Sequence, residues 1–364
     1  MTKSRIPLKK FVKEYSVRNK LNEDIPVYSV TNSQGFCTEY FSKEVASQDK
    51  TTYKIVPRGY FAYNPSRINV GSVDWQKYED RVIVSPLYNV FSVSDEIDCQ
   101  YLYYFFRSNI GRQMIKAKSS GSVRDNLKIE MLKEMTIPDI SMREQQFCSS
   151  VLDKLQILIK LKFDEIKQMD ELVKARFVEM FGEEKNKVKM VDICSIITDG
   201  THESPKFVNE GIPFIFVSNI SDNKIMYDAD KYIDKATYDV LIKRTPIEIG
   251  DIILSTVGSY GHPAVVKSDK KFLFQRHIAY LKPKREMVNS EYLHTMIMMD
   301  YVQHQINLEV KGIAQKTLNL SAIKSLDVLM PSLSQQNEFA FFKNQVDKSK
   351  LQVYQYMVAN WLRL

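Results

Sequence analysis

The sequence predicts an α+β protein: two tandem mixed α/β domains separated by two long helices that pair as an antiparallel coiled coil, related as an internal repeat with pseudo-two-fold symmetry. Three observations predict it. The phrase Ile-Pro, three mostly apolar residues, Val, a hydroxyl residue and Asn occurs at 24–32 (DIPVYSVTN) and again at 211–219 (GIPFIFVSN). The same landmarks then follow both copies in the same order. Each copy closes in a long segment free of Pro and Gly.

Taken in order, the Ile-Pro phrase reads as a short β-strand with Pro where it begins. A strand-like segment built around a glycine comes next, IVPRGYFAYNPSRINVGS at 55–72 and IEIGDIILSTVGSYG at 247–261, with Gly59 opposite Gly250. Tyr101-Leu102 and Tyr292-Leu293 each open a helical stretch. Gly121 precedes Leu127 as Gly312 precedes Leu318. Pro138 and Pro331 lead into Gln145-Gln146 and Gln335-Gln336, then into Asp153-Lys154 and Asp347-Lys348. The offset drifts only from 187 (Ile25 to Ile212) to 194 (Asp153 to Asp347), an order that chance does not keep. A tandem duplication follows, with a first domain at 1–140, a central helix at 141–182, a second domain at 183–331 and a C-terminal helix at 332–364.

The central helix, stopped by Gly182, would extend about 60 Å at 1.5 Å per residue. Leu152, Leu155, Ile159, Lys162, Ile166, Met169, Val173, Arg176 and Met180 recur along it at spacings of three and four, a heptad seam with two basic intruders. Phe339, Phe342, Val346, Ser349, Val353, Tyr356 and Asn360 repeat that spacing in the C-terminal helix. A helix so long cannot fold back on its own domain, and the other copy's helix is the nearest partner.

Composition excludes several classes. The chain has 364 residues, 44% of them apolar, enough to bury a core. Cys37, Cys99, Cys148 and Cys194 lie far apart, without the spacing of a zinc knuckle or a disulfide scaffold, which fits a reducing cytoplasm. No stretch approaches the roughly 20 apolar residues of a membrane span, and the N-terminal residues show no signal peptide. The net charge of +7 permits nucleic acid as a partner without demanding it. Five cations and no acid lie between Cys99 and Arg124, and seven cations with only Asp269 between Pro263 and Arg285. Such runs are often just solvated faces; one in each half favours a phosphate-contacting surface.

These residues bring a family into view. ITDGTHESPKF (197–207), GIPFIFVSNIS, GDIILSTVGSYG (250–261) and KGIAQKTLNLSAIKSLDVLMPSLSQQ (311–336), with FAYNPSRINVGS and SSGSVRDNLK (119–128) in the first half, resemble the DNA-specificity (S) subunit of type I restriction-modification systems. The resemblance covers essentially the whole chain. It implies two target-recognition domains, each reading part of a split double-stranded DNA sequence, and two helices that space them and hold two methyltransferase (modification) subunits, with restriction/translocase subunits as further partners. It implies no cofactor in this chain, S-adenosylmethionine, ATP and Mg belonging to the partner subunits. The C-terminal helix departs from the pattern, with 33 residues against 42, so the distal end of the coil is expected to be unpaired.

Base readout needs donors and acceptors for base edges among phosphate-binding cations. Loop-like stretches supply them. The candidates are Asn64, Arg67, Asn69 and Ser72 around Gly71; Lys118, Ser119, Ser120, Ser122 and Arg124 around Gly121; Asp199, Thr201 and His202; Ser255, Ser259, Tyr260 and His262; and Lys311, Gln315 and Lys316. The alternative is that Gly-Ser loops are simply turns. Catalytic signatures are missing. Asn64-Pro65-Ser66-Arg67 lacks the second Pro and the aromatic of a methyltransferase tetrad, no Walker-type loop exists, and the five histidines show no ligand spacing, His294 and His304 being expected on helix surfaces. A non-catalytic recognition subunit is therefore expected. The competing reading is a stand-alone DNA-binding regulator or a nuclease of unrecognised chemistry.

Overall fold

The computed structural model describes residues 4–38, 49–119, 126–310 and 316–361. The chain divides into two compact units, 1–159 and 160–364.

Both units use one frame. In the first, a four-stranded sheet runs in the order Val12–Glu14, Asn89–Val93, Phe61–Tyr63, Val73–Trp75, with every neighbouring pair antiparallel. In the second, the order Cys194–Asp199, Ile278–Pro283, Ile252–Ser255, Pro263–Val265 repeats it. Alternation along each strand sends side chains to opposite faces. Phe61, Tyr63 and Phe91 pack beneath Leu102 and Phe106, the Phe61 and Phe91 rings stacking at 5.0 Å, while Ala62 and Val90 bury the other face with Val56, Val82 and Val84. Likewise Ile252, Leu254, Ala279 and Leu281 face Leu293, Met296 and Ile297, and Ile253 and Tyr280 face Phe272 and Phe274.

The twice-written Ile-Pro phrase holds one place in this frame. Val27 bridges Ile83 in parallel, as Phe214 and Ile215 pair in parallel with Leu273 and Phe274. Gly59 and Gly250 both sit at positive φ, 84° and 93°, a conformation a side chain would strain. Each gives its carbonyl to the first residue of the helix laid against the sheet, Cys99 Sγ at 3.8 Å and Ser290 Oγ in the second unit. Those helices, Cys99–Arg107 and Ser290–Met298, break into Asn109–Ser119 and Asp300–Glu309.

Helix capping locks each long helix to its unit. Asp98 and Asn289 cap the two sheet-covering helices, and their backbone N–H groups donate to Gln145 Oε1 at 2.8 Å and Gln336 Oε1 at 2.9 Å. Each glutamine's Nε2 then donates to two backbone carbonyls, Glu96 and Ile140 in the first unit, Met287 and Pro331 in the second. Three pairings, 250 − 59, 289 − 98 and 336 − 145, give one offset of 191. The apparent drift beyond Gly59 is thus a misalignment. Gln145 answers to Gln336, and Glu144 to Gln335, which close matching capping boxes on Ser141 and Ser332. Similarly, Thr136–Pro138 in its two-stranded sheet with Arg5–Pro7 corresponds to Asp327–Leu329 with Lys187–Lys189.

The central helix runs Met142–Phe181 and the C-terminal helix Leu333–Trp361. Within the second unit they pair antiparallel. Arg176 Nη2 meets Glu338 Oε1 at 3.2 Å, Asp170 pairs with Lys350, and Lys162 lies 5.9 Å from the Tyr356 ring, so partner numbers rise as central-helix numbers fall. Ile166, Val173, Phe339, Val346 and Val353 are buried along the seam, with Met169, Arg176 and Met180 half-buried. Phe177 and Phe181, outside the heptad pattern, are also buried, closing an aromatic cluster with Tyr292 and Phe339. Leu152 and Ser349, expected in the seam, are exposed.

A buried ionic cluster adds a pH dependence. Lys343 Nζ bonds Glu291 Oε2 at 2.6 Å and Asp347 Oδ2 at 3.0 Å, and Lys267 bonds Glu291 Oε1 at 2.8 Å. Burial would raise the Glu291 carboxyl, but Lys343 and Lys267 outweigh it and hold it at about 2. Beside them His294 is pushed down to about 4, first by burial and then by Lys343, and its Nδ1 is buried without a partner. His294 is therefore half-buried rather than fully on the helix surface expected for it; His304 is exposed. Both shifts are downward, so the unfolded chain takes up protons first, and stability falls as the pH drops from about 6.5 through 4. Below about 4.5 Glu291 adds to the loss. Urea midpoints measured across this range should decline, and His294→Gln should flatten the upper part, between pH 6.5 and 4.5.

Candidate nucleic-acid interface

In the first unit the candidates gather on the loop joining Phe61–Tyr63 to Val73–Trp75. Asn64 Oδ1 accepts from Ser66 N at 3.1 Å and Ser66 Oγ at 2.9 Å, and Arg67 N donates to Asn64 O, so the side chain of Asn64 builds the turn. Arg67 is exposed at its crest. Asn69 Oδ1 is buried without a hydrogen bond. Gly71 sits at φ 101°, a left-handed conformation that favours glycine, with two guanidinium groups beside it. Arg107 Nη1 donates to Gly71 O at 3.1 Å, and the Arg112 Nη2 lies 3.7 Å from where a Cβ on Gly71 would stand. Ser72 is buried, with its hydroxyl donating to Val30 O, and Ser119 is buried on Lys116 O at 3.3 Å. These two hydroxyls are spent inside the fold. Lys118 pairs with Glu134 at 2.7 Å. Ser120, Ser122 and Arg124 lie outside the described residues.

The second unit brings together more of them. Strand Cys194–Asp199 ends in Asp199, followed by Thr201, whose N–H donates to Phe274 O at 3.0 Å and whose carbonyl accepts from Arg276 N at 3.0 Å. Thr256 N donates to His277 O, and Leu318 N to Thr256 O, drawing three more segments to the same place. Between them opens a cleft of about 520 Å³, lined by Asp199, Thr256, Arg276, His277, Thr317 and Asn319 among others. His202 stands at its edge, Nε2 3.0 Å from Asp199 Oδ2. Ser259, His262 and Lys316 are exposed, and Tyr260 Oη donates to Asn307 Oδ1 at 2.9 Å. Ser255 is buried and accepts from His262 N at 3.1 Å, so its hydroxyl also serves the loop. Lys311 and Gln315 lie outside the described residues.

The basic run at 263–285 divides. Lys267, Lys282 and Arg285 are engaged with Glu291, Glu248 and Asp251, whereas Arg276 projects at the cleft. The run itself pointed to Arg276, as the run at 99–124 pointed to Arg107 and Arg112. No comparable signal marks Arg244, which meets Asp199 from 45 residues away. Among the described residues no group of three or more His, Cys, Asp and Glu could hold a metal ion, and no helix is long and apolar enough to cross a membrane.

Fold and loops together define a duplicated α/β protein whose two units each present a polar, cation-bearing loop face and end in a long helix. A profile of the type I restriction modification DNA specificity domain matches residues 6–169 and again 182–354. The chain belongs to that family of DNA specificity subunits. It is 28% identical over 131 residues to the type I restriction enzyme EcoBI specificity subunit of Escherichia coli, covering 36% of this chain and 27% of that protein. To the MjaIX specificity subunit of Methanocaldococcus jannaschii it is 26% identical over 260 residues, 65% of this chain and 60% of that one. These matches thus span from about a quarter to three-fifths of the relatives' length. A chain from a structure concerned with complex assembly and conformational transition of the type I R-M system superposes with a TM-score of 0.60 at 13% identity, covering 98% of this chain and 93% of that one. The S subunit from M. genitalium gives 0.54 at 12% identity, covering 98% and 92%. The two structures share its fold.

Proposed function

We propose that this chain is the sequence-specific DNA-recognition subunit of a cytoplasmic type I restriction-modification complex, each globular unit reading one half of a bipartite target while the long helices set the spacer and dock two methyltransferase subunits. The observation that carries the reading is a duplicated frame with divergent loops. Sheet order recurs in both units, and the capping glutamines and helix breaks recur at one offset, yet Asn64–Ser72 and its second-unit counterpart share little sequence, and a cleft opens beside Arg276 in the second unit. Equivalent frames with different readers suit different half-sites.

The DNA-facing groups would be Asn64, Arg67, Arg107 and Arg112 in the first unit, and Thr201, His202, Ser259, His262, Arg276 and Lys316 in the second. Ile157, Leu158, Leu161 and Phe163 of the central helix are each more than half exposed and would be covered by the modification subunits. The chain itself would carry out no chemistry; S-adenosylmethionine, ATP and Mg would act in the methyltransferase and restriction/translocase subunits. Exchanging residues 183–331 for the same region of a relative should change one half-site of the methylated motif and leave the other intact. Methylation mapping of DNA from a host carrying the operon reads this out. A swap that altered both halves would mean the units read jointly, and DNA cleavage by the purified chain alone would favour the nuclease reading.

A further inference from the structure

We propose that Arg244 reads a guanine in the half-site of the second unit and that Asp199 acts beneath it as a positioning residue without touching DNA. The inference rests on the DNA-recognition reading above. Asp199 closes strand Cys194–Asp199, its backbone paired with Ala279, and its side chain is only 16% exposed. Arg244 arrives from the turn Ile242–Arg244 after helix Lys235–Leu241. Its Nη2 donates to Asp199 Oδ1 and lies 3.5 Å from Thr198 Oγ1, yet half of its side chain, 51%, is open to solvent. His202 Nε2 stands 3.0 Å from Oδ2 of the same carboxylate and 3.3 Å from Arg244 Nη2. An arginine and a histidine therefore converge on one inner carboxylate, with both heads facing out.

As a stabilising device this arrangement is poor, since an ion pair with an exposed partner contributes little to folding. As a support for a reader it works. Among the described residues the hydrogen bonds of Arg244 run through Nη2, while Nη1 keeps no partner there, so the end-on edge, Nη1 with the second N–H of Nη2, is the fork left for an outside acceptor pair. A long side chain already held in one position loses less freedom on binding. The acceptor pair that suits a fixed guanidinium in the major groove is O6 and N7 of guanine. Along the same rim Arg276, exposed, donates through Nε to His277 Nε2 at 3.4 Å, and both line the cleft with Asp199. Arg276 has no carboxylate partner among the described residues and suits a phosphate, so the rim offers one cation for the backbone and one for the base edge.

The test uses the full-length chain with its modification subunits and maps the methylated motif. Arg244→Lys keeps the charge and the contact with Asp199 while losing the planar fork. Preference for guanine at one position of the second half-site should fall roughly tenfold or more, with the first half-site and spacer unchanged as internal controls. Arg244→Gln should relax the same position, and Asp199→Ala should relax it partially. An unchanged motif in both Arg244 variants overturns the inference, as does uniform weakening at every position with a shallower salt dependence, the signature of a phosphate contact. Relaxation at an A·T position overturns the choice of guanine. If the unaltered chain directs no methylation at all, the DNA-recognition reading fails and this inference with it.

Discussion

Phe339→Ala is expected to lower the unfolding free energy of the second unit by about 3–5 kcal/mol, the usual cost of emptying a buried aromatic site. Phe339 is fully buried, with ring centroids 5.3 Å from Phe177, 5.8 Å from Phe181 and 6.4 Å from Tyr292. It therefore joins three elements, the two long helices and the helix against the sheet. The neighbouring turns cannot take up the load, because Gln336 and Lys343 hold their own polar partners in fixed geometry. Urea unfolding followed by amide exchange should show the stretch 333–356 losing protection before the central sheet. A change below about 1 kcal/mol would mean that the cluster collapses around the gap and that the helix is held elsewhere.

Gly200→Ala should act through backbone crowding. A Cβ there would stand 2.2 Å from Phe274 O and 2.4 Å from Gln275 O, and both carbonyls are held, because Thr201 N donates to Phe274 O and Ile278 N to Gln275 O. Overpacking of this kind costs about 1–3 kcal/mol, occasionally more. For a unit of this size that corresponds to a fall in Tm of roughly 2–12 °C. Because Gly200 lies between Asp199 and Thr201, the displacement should also weaken methylation at sites that depend on the second half-site. An unaltered Tm together with normal methylation would show that the strand end is soft and that the cleft is not a prepared surface.

Much of the fold was legible along the chain, because its signals are local. A Pro-entered strand phrase, a glycine forced to positive φ and a long run without helix breakers are properties of neighbouring residues, and a duplication writes each of them twice. The apolar spacing of three and four likewise marked Ile166, Val173, Phe339 and Val346 as seam positions, as the antiparallel contacts bear out. The family could be identified from the same segments. Register was less legible. Matching Gln335-Gln336 to Gln145-Gln146 by appearance shifts the alignment by one, and only the shared bond from a capping residue to Gln145 or Gln336 settles it.

The binding face depended on tertiary structure for a physical reason: a polar side chain in a loop can face water or satisfy a buried backbone group, and sequence alone does not distinguish the two. Ser72, Ser119 and Ser255 turned inward to carbonyl or amide partners. Lys267 and Lys282 were taken up by carboxylates from distant segments, and His294 was left half-buried within the field of Lys343. Arg244 gained its role only because folding brought it onto Asp199. By itself the sequence determined a duplicated α/β frame, its long helices and the family. Which donors remained to face a ligand was decided by contacts between residues far apart in the chain, since only packing determines which polar groups find their partners within the protein.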